Sequence, residues 1–80
     1  MARVTLLYFA SLREAVGQER EQVHSTAADL AALYAEVAAR HGLDWPRQRL
    51  RVAVDGAFAD WAQPLREGSE VVFIPPVSGG

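Results

Sequence analysis

The alternation of apolar and polar positions along the chain predicts three strands and one longer helix. Residues 4–9 are β-branched and aromatic, which is typical of a buried strand. Residues 50–55 alternate strictly, and residues 70–74 form a last, strongly apolar run. Between them, apolar residues recur at the i, i+3, i+4, i+7 spacing of an amphipathic helix: Leu30, Leu33, Tyr34 and Val37.

Weaker signals predict the connecting elements. Residues 10–17 form a short helix in which Ser11 and Glu14 have capping-box spacing and Gly17 supplies the left-handed stop. Residues 19–24 are short and polar, so we expect an edge strand that forms a hairpin with the first strand.

The ends of the main helix and the turns that follow also have local signals. Thr26 is the predicted N-cap of the main helix, and Gly42 is its predicted C-terminal stop. Asp55-Gly56 predicts a turn. Residues 57–65 should be irregular, with one short strand near Phe58.

This order of strands and helices predicts a two-layer α+β fold in residues 1–74. The first and last strands are the most apolar and should lie side by side in the centre of a mixed sheet. One main helix then covers one face of that sheet, which is the β-grasp (ubiquitin-like) roll. Residues 75–80 form a separate C-terminal tail.

The sheet face that the helix does not cover is predicted to be apolar. If Val4, Leu6 and Tyr8 face the helix, alternation turns their neighbours the other way. These neighbours are mostly large apolar side chains: Leu7, Phe9, Val72 and Ile74, extended by Ala53 and Phe58. Exposed apolar area marks an interface, so we predict a partner-binding surface. Two alternatives are that loop 57–65 covers this face, or that the strand phase is shifted by one residue.

The chain ends in "FIPPVSGG", a sequence suited to projecting from the domain. Pro75 and Pro76 have no N–H for a sheet and favour an extended, semi-rigid run, with Val77 as a small apolar handle. Gly79 and Gly80 end the chain as a flexible diglycine that can pass through a slot too narrow for side chains. The alternative is an ordinary frayed terminus.

The reactive group of such a tail is the Gly80 carboxylate, which reacts only after activation. The chain has no Gly-rich phosphate loop, so a partner enzyme must supply the ATP site.

Composition excludes several other classes of function. The chain has 80 residues, half of them apolar, and a net charge of −2, so we expect a single domain that binds no nucleic acid. No apolar run is long enough to span a membrane and no signal peptide is evident, so we expect a cytoplasmic protein. It has no cysteine, and His24 and His41 lack metal-ligand spacing, so no metal site is predicted.

Three segments together resemble a known family: "VTLLYFASLREAVG", "RVAVDGAFADWAQPLREGSEVVFI" and the ending "PPVSGG". They are similar to the small subunits of molybdopterin synthase, the ubiquitin-like sulfur carriers of molybdenum cofactor biosynthesis. The similarity covers essentially the whole chain. Gly-Gly alone is shared by all ubiquitin-like carriers, whereas the preceding Pro-Pro-Val is more specific.

The resemblance implies a reaction at the C-terminus. An E1-like adenylyltransferase uses ATP to adenylate Gly80, next to Gly79, and a sulfur donor system converts the acyl adenylate to a thiocarboxylate. The carrier then donates sulfur to cyclic pyranopterin monophosphate inside the large synthase subunit, in a heterotetramer. The carrier is the non-catalytic subunit and holds no permanent cofactor. The family interface maps onto Phe9, Arg13, Phe58, Ile74, Pro75, Pro76 and Val77.

Other functions of the same terminus remain open. The carrier could serve thiazole synthesis or transfer-RNA thiolation, it could be a ubiquitin-like protein modifier, or the tail could be idle. The chain also has no lysine, which is either a compositional bias or a way to prevent self-acylation by an activated Gly80.

Overall fold

The structure is a computed structural model that describes residues 1–76. The predicted roles of Val77, Gly79 and Gly80 therefore lie outside the described residues. The regular elements are β1 (Ala2–Tyr8), α1 (Ala10–Val16), β2 (Arg20–Ser25), α2 (Leu30–His41), a 3₁₀ turn (Arg47–Arg49), β3 (Arg51–Val54), β4 (Ala57–Ala59) and β5 (Glu70–Ile74).

The strands form one five-stranded sheet in the order β2-β1-β5-β3-β4. β1 and β5 pair in parallel in the centre, and the other neighbours are antiparallel. The mixed β-grasp sheet, the edge position of β2 and the short strand at Phe58 are all confirmed. The division into a domain of residues 1–74 and a tail of residues 75–80 stays a prediction.

The core lies between the sheet and α2, and the predicted strand phase is confirmed. The predicted inward residues of β1 and β5 are buried, as are the predicted apolar positions of α2. Val54 is only half-buried, near the end of β3. The buried core residues of these elements are Val4, Leu6, Tyr8, Leu30, Leu33, Tyr34, Val37, Val52, Val71 and Phe73. Within residues 1–76, neither helix is long and apolar enough to cross a membrane.

The helix ends are predicted correctly at the glycines and wrongly at the N-termini. Gly17 and Gly42 close their helices in the left-handed conformation. The Ser11/Glu14 capping box does not form, because β1 runs into α1 without a loop and Phe9 takes the cap position. The Thr26 cap is also wrong: α2 begins later, and the Asp29 carboxylate accepts a hydrogen bond from the Ala32 N–H.

The segment after β4 packs on the helix side of the sheet. The carbonyls of Gln63 and Trp61 accept hydrogen bonds from the N–H groups of Leu30 and Ala31, at 3.0 Å each. These are donors that the first turn of a helix leaves without intrahelical partners. Because the segment is tied to the start of α2, it does not fold over the opposite sheet face.

A polar network joins the end of α2 to the β1–β2 hairpin. The Tyr8 hydroxyl donates to a Glu21 carboxylate oxygen (2.7 Å), the His41 Nε2 lies 3.0 Å from the same oxygen, and Arg40 forms an ion pair with the other at 3.5 Å. Burial alone would raise the pKa of Glu21, but the hydrogen bonds from Tyr8 and His41 and the neighbouring positive charges outweigh it. The pKa of Glu21 is therefore lowered.

We expect this network to make stability depend on pH. Because the pKa of Glu21 is lower in the folded chain, its stabilisation is present above the ordinary glutamate pKa and is lost as the pH falls through the lowered value. Glu21→Gln should reduce the free energy of unfolding by about 1–3 kcal/mol at neutral pH, and by less near pH 3. Urea denaturation at both pH values measures this difference.

Glu19→Gln is the matched control, since the Glu19 side chain is exposed and has no side-chain partner within residues 1–76. Its effect should stay within about 0.5 kcal/mol at both pH values. A Glu21→Gln effect that is equally large near pH 3 would contradict the assigned role of the carboxylate charge.

Candidate functional site: the open sheet face and the base of the tail

The sheet face turned away from α2, called the open face below, has an apolar row across four strands. Leu7 of β1 pairs with Val72 of β5, Val72 pairs with Ala53 of β3, and Ala53 pairs with Phe58 of β4. Side chains that are directly paired in register lie on the same face. The row is therefore continuous, as the alternation predicts.

A second row lies at the end of the sheet from which the tail leaves. Ile74, the last residue of β5, pairs with Arg51 of β3, and Phe9 follows the end of the neighbouring β1. Side chains from the two rows, together with Gly56, line an open depression. Its lining residues are Phe9, Ala53, Gly56, Phe58, Val72 and Ile74. We call the side chains Leu7, Phe9, Ala53, Phe58, Val72 and Ile74 the apolar patch.

The patch is accessible to a partner. Phe58 is 69% exposed and Phe9 is 47% exposed, and these are the most exposed large apolar side chains of residues 1–76 apart from Met1. Leu7, Val72 and Ile74 are half-buried. Contiguous apolar exposure of this kind usually marks an interface. Neither alternative to an exposed patch holds, since the phase is as predicted and the loop lies on the other side.

Phe58 is positioned by a two-residue hairpin. Asp55 and Gly56 both have positive φ, at 50° and 88°, which is the pairing that a type I′ turn requires. The Asp55 carboxylate also accepts a hydrogen bond from the Glu70 N–H at 2.9 Å. The predicted Asp-Gly turn is confirmed, and it places the short β4 strand beside β3 with Phe58 on the open face.

Phe9 is positioned by a strained residue. Ala10 follows it with φ of 50°, a left-handed conformation that costs a non-glycine residue about 1–2 kcal/mol. The bend lets α1 begin immediately after β1, while Phe9 keeps an extended backbone and its place on the open face. Strain of this kind persists only where the surrounding packing fixes the chain.

The base of the tail is held by an aromatic cluster on the other face. The Phe73 ring packs edge-on against Tyr34 at a centroid distance of 5.1 Å and stacks on Trp61 at 6.0 Å. The Tyr34 hydroxyl donates to the Trp45 carbonyl at 2.6 Å, and burial raises the pKa of Tyr34. The residue before Ile74 is thus anchored, which fixes the point where the chain leaves the sheet.

Two grooves meet at Pro75 and Pro76. One is lined by Arg49, Arg51, Phe58 and Ile74 together with both prolines. The other is lined by Phe9, the first turns of α1, Trp45, Ile74 and the same prolines. Pro75 is half-buried and Pro76 is exposed. The described part of the tail therefore begins on the ridge between the grooves.

The structure places the predicted interface residues in two groups. Phe9, Phe58, Ile74, Pro75 and Pro76 lie together on the open face and at the base of the tail. The exposed Arg13 lies one helical turn beyond Phe9 on α1, and it lines none of these depressions. Its role stays a prediction.

Three residues beside the tail were missed at the sequence level. Arg51 could have been assigned from alternation, because its neighbour Val52 faces the core. Trp45 lies in the irregular segment after α2 and Arg49 ends the short 3₁₀ turn, and neither segment has a periodicity that indicates a direction. Their positions needed the tertiary structure.

The described residues present an exposed apolar surface at the base of the tail. Among residues 1–76, no group of three His, Cys, Asp or Glu side chains could hold a metal ion. The Glu21–His41 pair lies between β2 and α2, on the sheet face opposite the patch. The exposed apolar patch therefore favours docking of a partner on the open face.

Comparison with known proteins identifies relatives over the full chain. The ThiS family model matches residues 6–80. A molybdopterin synthase sulfur carrier subunit of Escherichia coli (strain K12) is 35% identical over 80 residues, which cover 96% of this chain and 99% of the relative.

Solved structures also match this chain over nearly its whole length. A putative molybdopterin converting factor, subunit 1, from Pyrococcus furiosus superposes with a TM-score of 0.81 at 25% identity, covering 96% of this chain and all of that one. The chain is also similar, with a TM-score of 0.68 and 25% identity, to a chain in a complex of subunits 1 and 2 of the molybdopterin-converting factor from Helicobacter pylori 26695. That match covers 98% of this chain and 99% of the other.

Truncating an aromatic side chain to alanine should change the free energy of unfolding by different amounts on the two faces of the sheet. Phe58→Ala should change the free energy of unfolding by less than about 1 kcal/mol, because the ring is exposed. Phe73→Ala should reduce it by about 3–5 kcal/mol, because that ring is fully buried in the aromatic cluster. Chemical denaturation monitored by tryptophan fluorescence measures both. Equal losses would mean that Phe58 belongs to the core.

Proposed function

The chain belongs to the ThiS family, and from this premise we propose that it is a sulfur carrier of molybdenum cofactor biosynthesis. In this proposal it is the small, non-catalytic subunit of molybdopterin synthase. The observation that supports it most directly is the apolar patch, which is continuous with the base of a Pro-Pro tail. A docking face next to a projecting terminus suits a protein that presents one group to other proteins.

The proposed reaction takes place at the Gly80 carboxylate. This carboxylate has an ordinary pKa of about 3.5, so it is ionised at neutral pH and is a poor electrophile. An E1-like adenylyltransferase transfers AMP from ATP to one of its oxygens and releases pyrophosphate, which gives a mixed anhydride. Sulfide-level sulfur from a donor system then attacks the acyl carbon, displaces AMP as the leaving group and leaves a thiocarboxylate. ATP is consumed by the partner, in the cytoplasm, and the carrier needs no permanent cofactor.

The proposed sulfur acceptor is cyclic pyranopterin monophosphate, bound in the large subunit of the synthase. The large subunit supplies the acids, bases and binding groups, and the diglycine of Gly79 and Gly80 gives the thiocarboxylate a narrow approach to them. Two observations support this partner: the curated relative is named as the sulfur carrier subunit of the same synthase, and the Helicobacter pylori structure contains subunits 1 and 2 together.

The absence of cysteine and lysine in the chain fits the same chemistry. With no cysteine, no side-chain thiol competes for the carried sulfur. With no lysine, an activated Gly80 finds no ε-amine on its own chain or on another copy of it. Both absences remove side chains that would compete for the carried sulfur or for the activated acyl group.

Incubation with the activating enzyme, ATP and a sulfur donor should convert the protein to a thiocarboxylate. Intact-mass measurement should show one oxygen replaced by sulfur, located at Gly80 by fragmentation. The product, mixed with the large subunit, should convert the pterin precursor. Deletion of Gly80 should abolish both steps and leave the thermal midpoint nearly unchanged, because a terminal residue contributes little to folding.

Other outcomes point to other functions. Conjugates with lysines of foreign proteins would favour a ubiquitin-like modifier. A thiocarboxylate that serves thiazole synthesis or transfer-RNA thiolation, and not the pterin, would favour another sulfur acceptor. No change in mass at Gly80 would contradict the carrier function altogether.

Ile74→Asp should weaken binding to the large subunit. Ile74 lies at the junction of the apolar patch and the tail, so the substitution removes an apolar side chain from the contact and places a hydrated carboxylate there. We expect a loss of about 2 kcal/mol or more, which is roughly 30-fold in Kd. Isothermal titration calorimetry measures it.

Ala35→Asp is the matched control, because Ala35 is exposed on α2, on the opposite side of the domain. It adds the same charge away from the proposed contact, and the Kd should stay within about twofold of the unmodified carrier. Unchanged binding of Ile74→Asp would mean that the open face is not the docking surface.

A further inference from the structure

The groove beside the tail contains two arginines that lack acidic partners. Arg49 and Arg51 line it together with Phe58, Ile74 and the two prolines. Three other arginines form ion pairs with glutamates of the same chain: Arg3 with Glu67, Arg20 with Glu70 and Arg40 with Glu21. Within residues 1–76, neither Arg49 nor Arg51 has a carboxylate within ion-pair distance.

Each of the two guanidinium groups lies over an aromatic ring instead. The Arg51 guanidinium carbon is 5.6 Å from the centre of the Phe58 ring, and that of Arg49 is 5.8 Å from the Trp45 ring. Stacking uses the flat face of a guanidinium and leaves its N–H groups, which point outward in the plane, available for other acceptors. Both cations thus lie against aromatic rings beside the tail, and within residues 1–76 neither forms an ion pair.

Arg51 is also part of the docking surface itself. It pairs in register with Ile74, so its side chain lies on the open face next to the apolar patch. A cation at this position is an obstacle to a purely apolar partner, because burying an unpaired charge is costly. It favours a partner whose surface places an acidic group opposite it.

We propose that Arg49 and Arg51 form a recognition edge for carboxylates on the large-subunit surface that covers the open face. This inference rests on the proposed function and specifies the chemistry of its partner: an apolar contact for the patch, bordered by Asp or Glu side chains beside the entry of the tail. A planar guanidinium binds a carboxylate through two parallel hydrogen bonds, which sets orientation as well as attraction.

The charge of the chain as a whole favours a protein partner over a nucleic acid. The net charge is −2, so the chain as a whole does not attract a polyanion. Two arginines among Phe58, Ile74 and the prolines suit a mixed apolar and acidic surface, which a folded protein presents.

The recognition edge acts mainly on the rate of association. Complementary charges at the rim of an interface speed the encounter and fix its orientation, and the effect decreases as salt screens the charges. The two arginines lie beside the emerging tail, so they orient the carrier with its terminus toward the entrance of the partner's site.

Charge reversal tests the inference through association rates with the large subunit. Arg49→Glu and Arg51→Glu should each reduce kon by about tenfold at low ionic strength, and the difference from the unmodified carrier should shrink as salt is added. Stopped-flow or surface-based kinetics over a salt series measures kon and its slope. Circular dichroism and the thermal midpoint confirm that each variant is folded.

Two variants serve as controls. Arg66→Glu changes the net charge equally, but Arg66 is exposed in the turn near the start of β5, at the opposite end of that strand from the tail. Its kon should stay within about twofold of the unmodified value. Arg51→Lys keeps the charge but cannot form the bidentate hydrogen bonds of a guanidinium with a carboxylate. The association rate constant kon should therefore be largely retained, while the dissociation rate constant koff increases.

The outcomes separate this inference from the proposed function. Loss of kon specific to Arg49→Glu and Arg51→Glu, with the expected salt dependence, supports it. Equal effects of these variants and Arg66→Glu, or no effect, overturn it while binding and pterin conversion still support the carrier function. If the unmodified carrier does not bind the large subunit at all, the proposed function fails and the recognition edge fails with it.

Discussion

The parallel pairing of β1 with β5 is the constraint on which the rest of the structure depends. It brings the two most apolar strands together in the centre of the sheet, although they are separated by most of the chain. A parallel pair cannot be joined by a tight turn, so the intervening chain must cross over, and α2 covers one face as it does so. Because the two strands run in the same direction, β5 ends beside Phe9, which follows β1. The C-terminal tail therefore leaves the domain next to the docking face.

One helix covers one face of a five-stranded sheet, and this has a direct consequence for function. The segment after β4, which could have covered the other face, instead satisfies the first N–H groups of α2. The apolar patch is therefore left uncovered within residues 1–76. The domain is small and its core is modest. Because the patch stays exposed in the free protein, its apolar area contributes no hydrophobic stabilisation to the fold. In the proposed function, this apolar area is buried when the carrier binds the large subunit.

The two faces of the sheet differ in structural role: one packs the core and the other presents exposed side chains. On the helix side, the Glu21 network and the rings around Phe73 fix the hairpin and the last strand. On the open side, the strained Ala10 and the Asp-Gly turn hold Phe9 and Phe58 in position without burying them. The anchored strand gives the tail a defined origin. The apolar patch therefore lies on a sheet whose core is packed independently of it.

The sequence by itself determined the elements, the strand phase and the apolar patch, because these follow from periodicity and from glycine stops at fixed positions. It also identified the family, because each matching segment is a continuous stretch of sequence and can be recognised without the fold. Only the tertiary structure decided where α2 begins, that Glu21 joins Tyr8 to His41, and that Arg49 and Arg51 flank the tail. Such features depend on packing between segments distant in sequence, and local patterns contain no information about that packing.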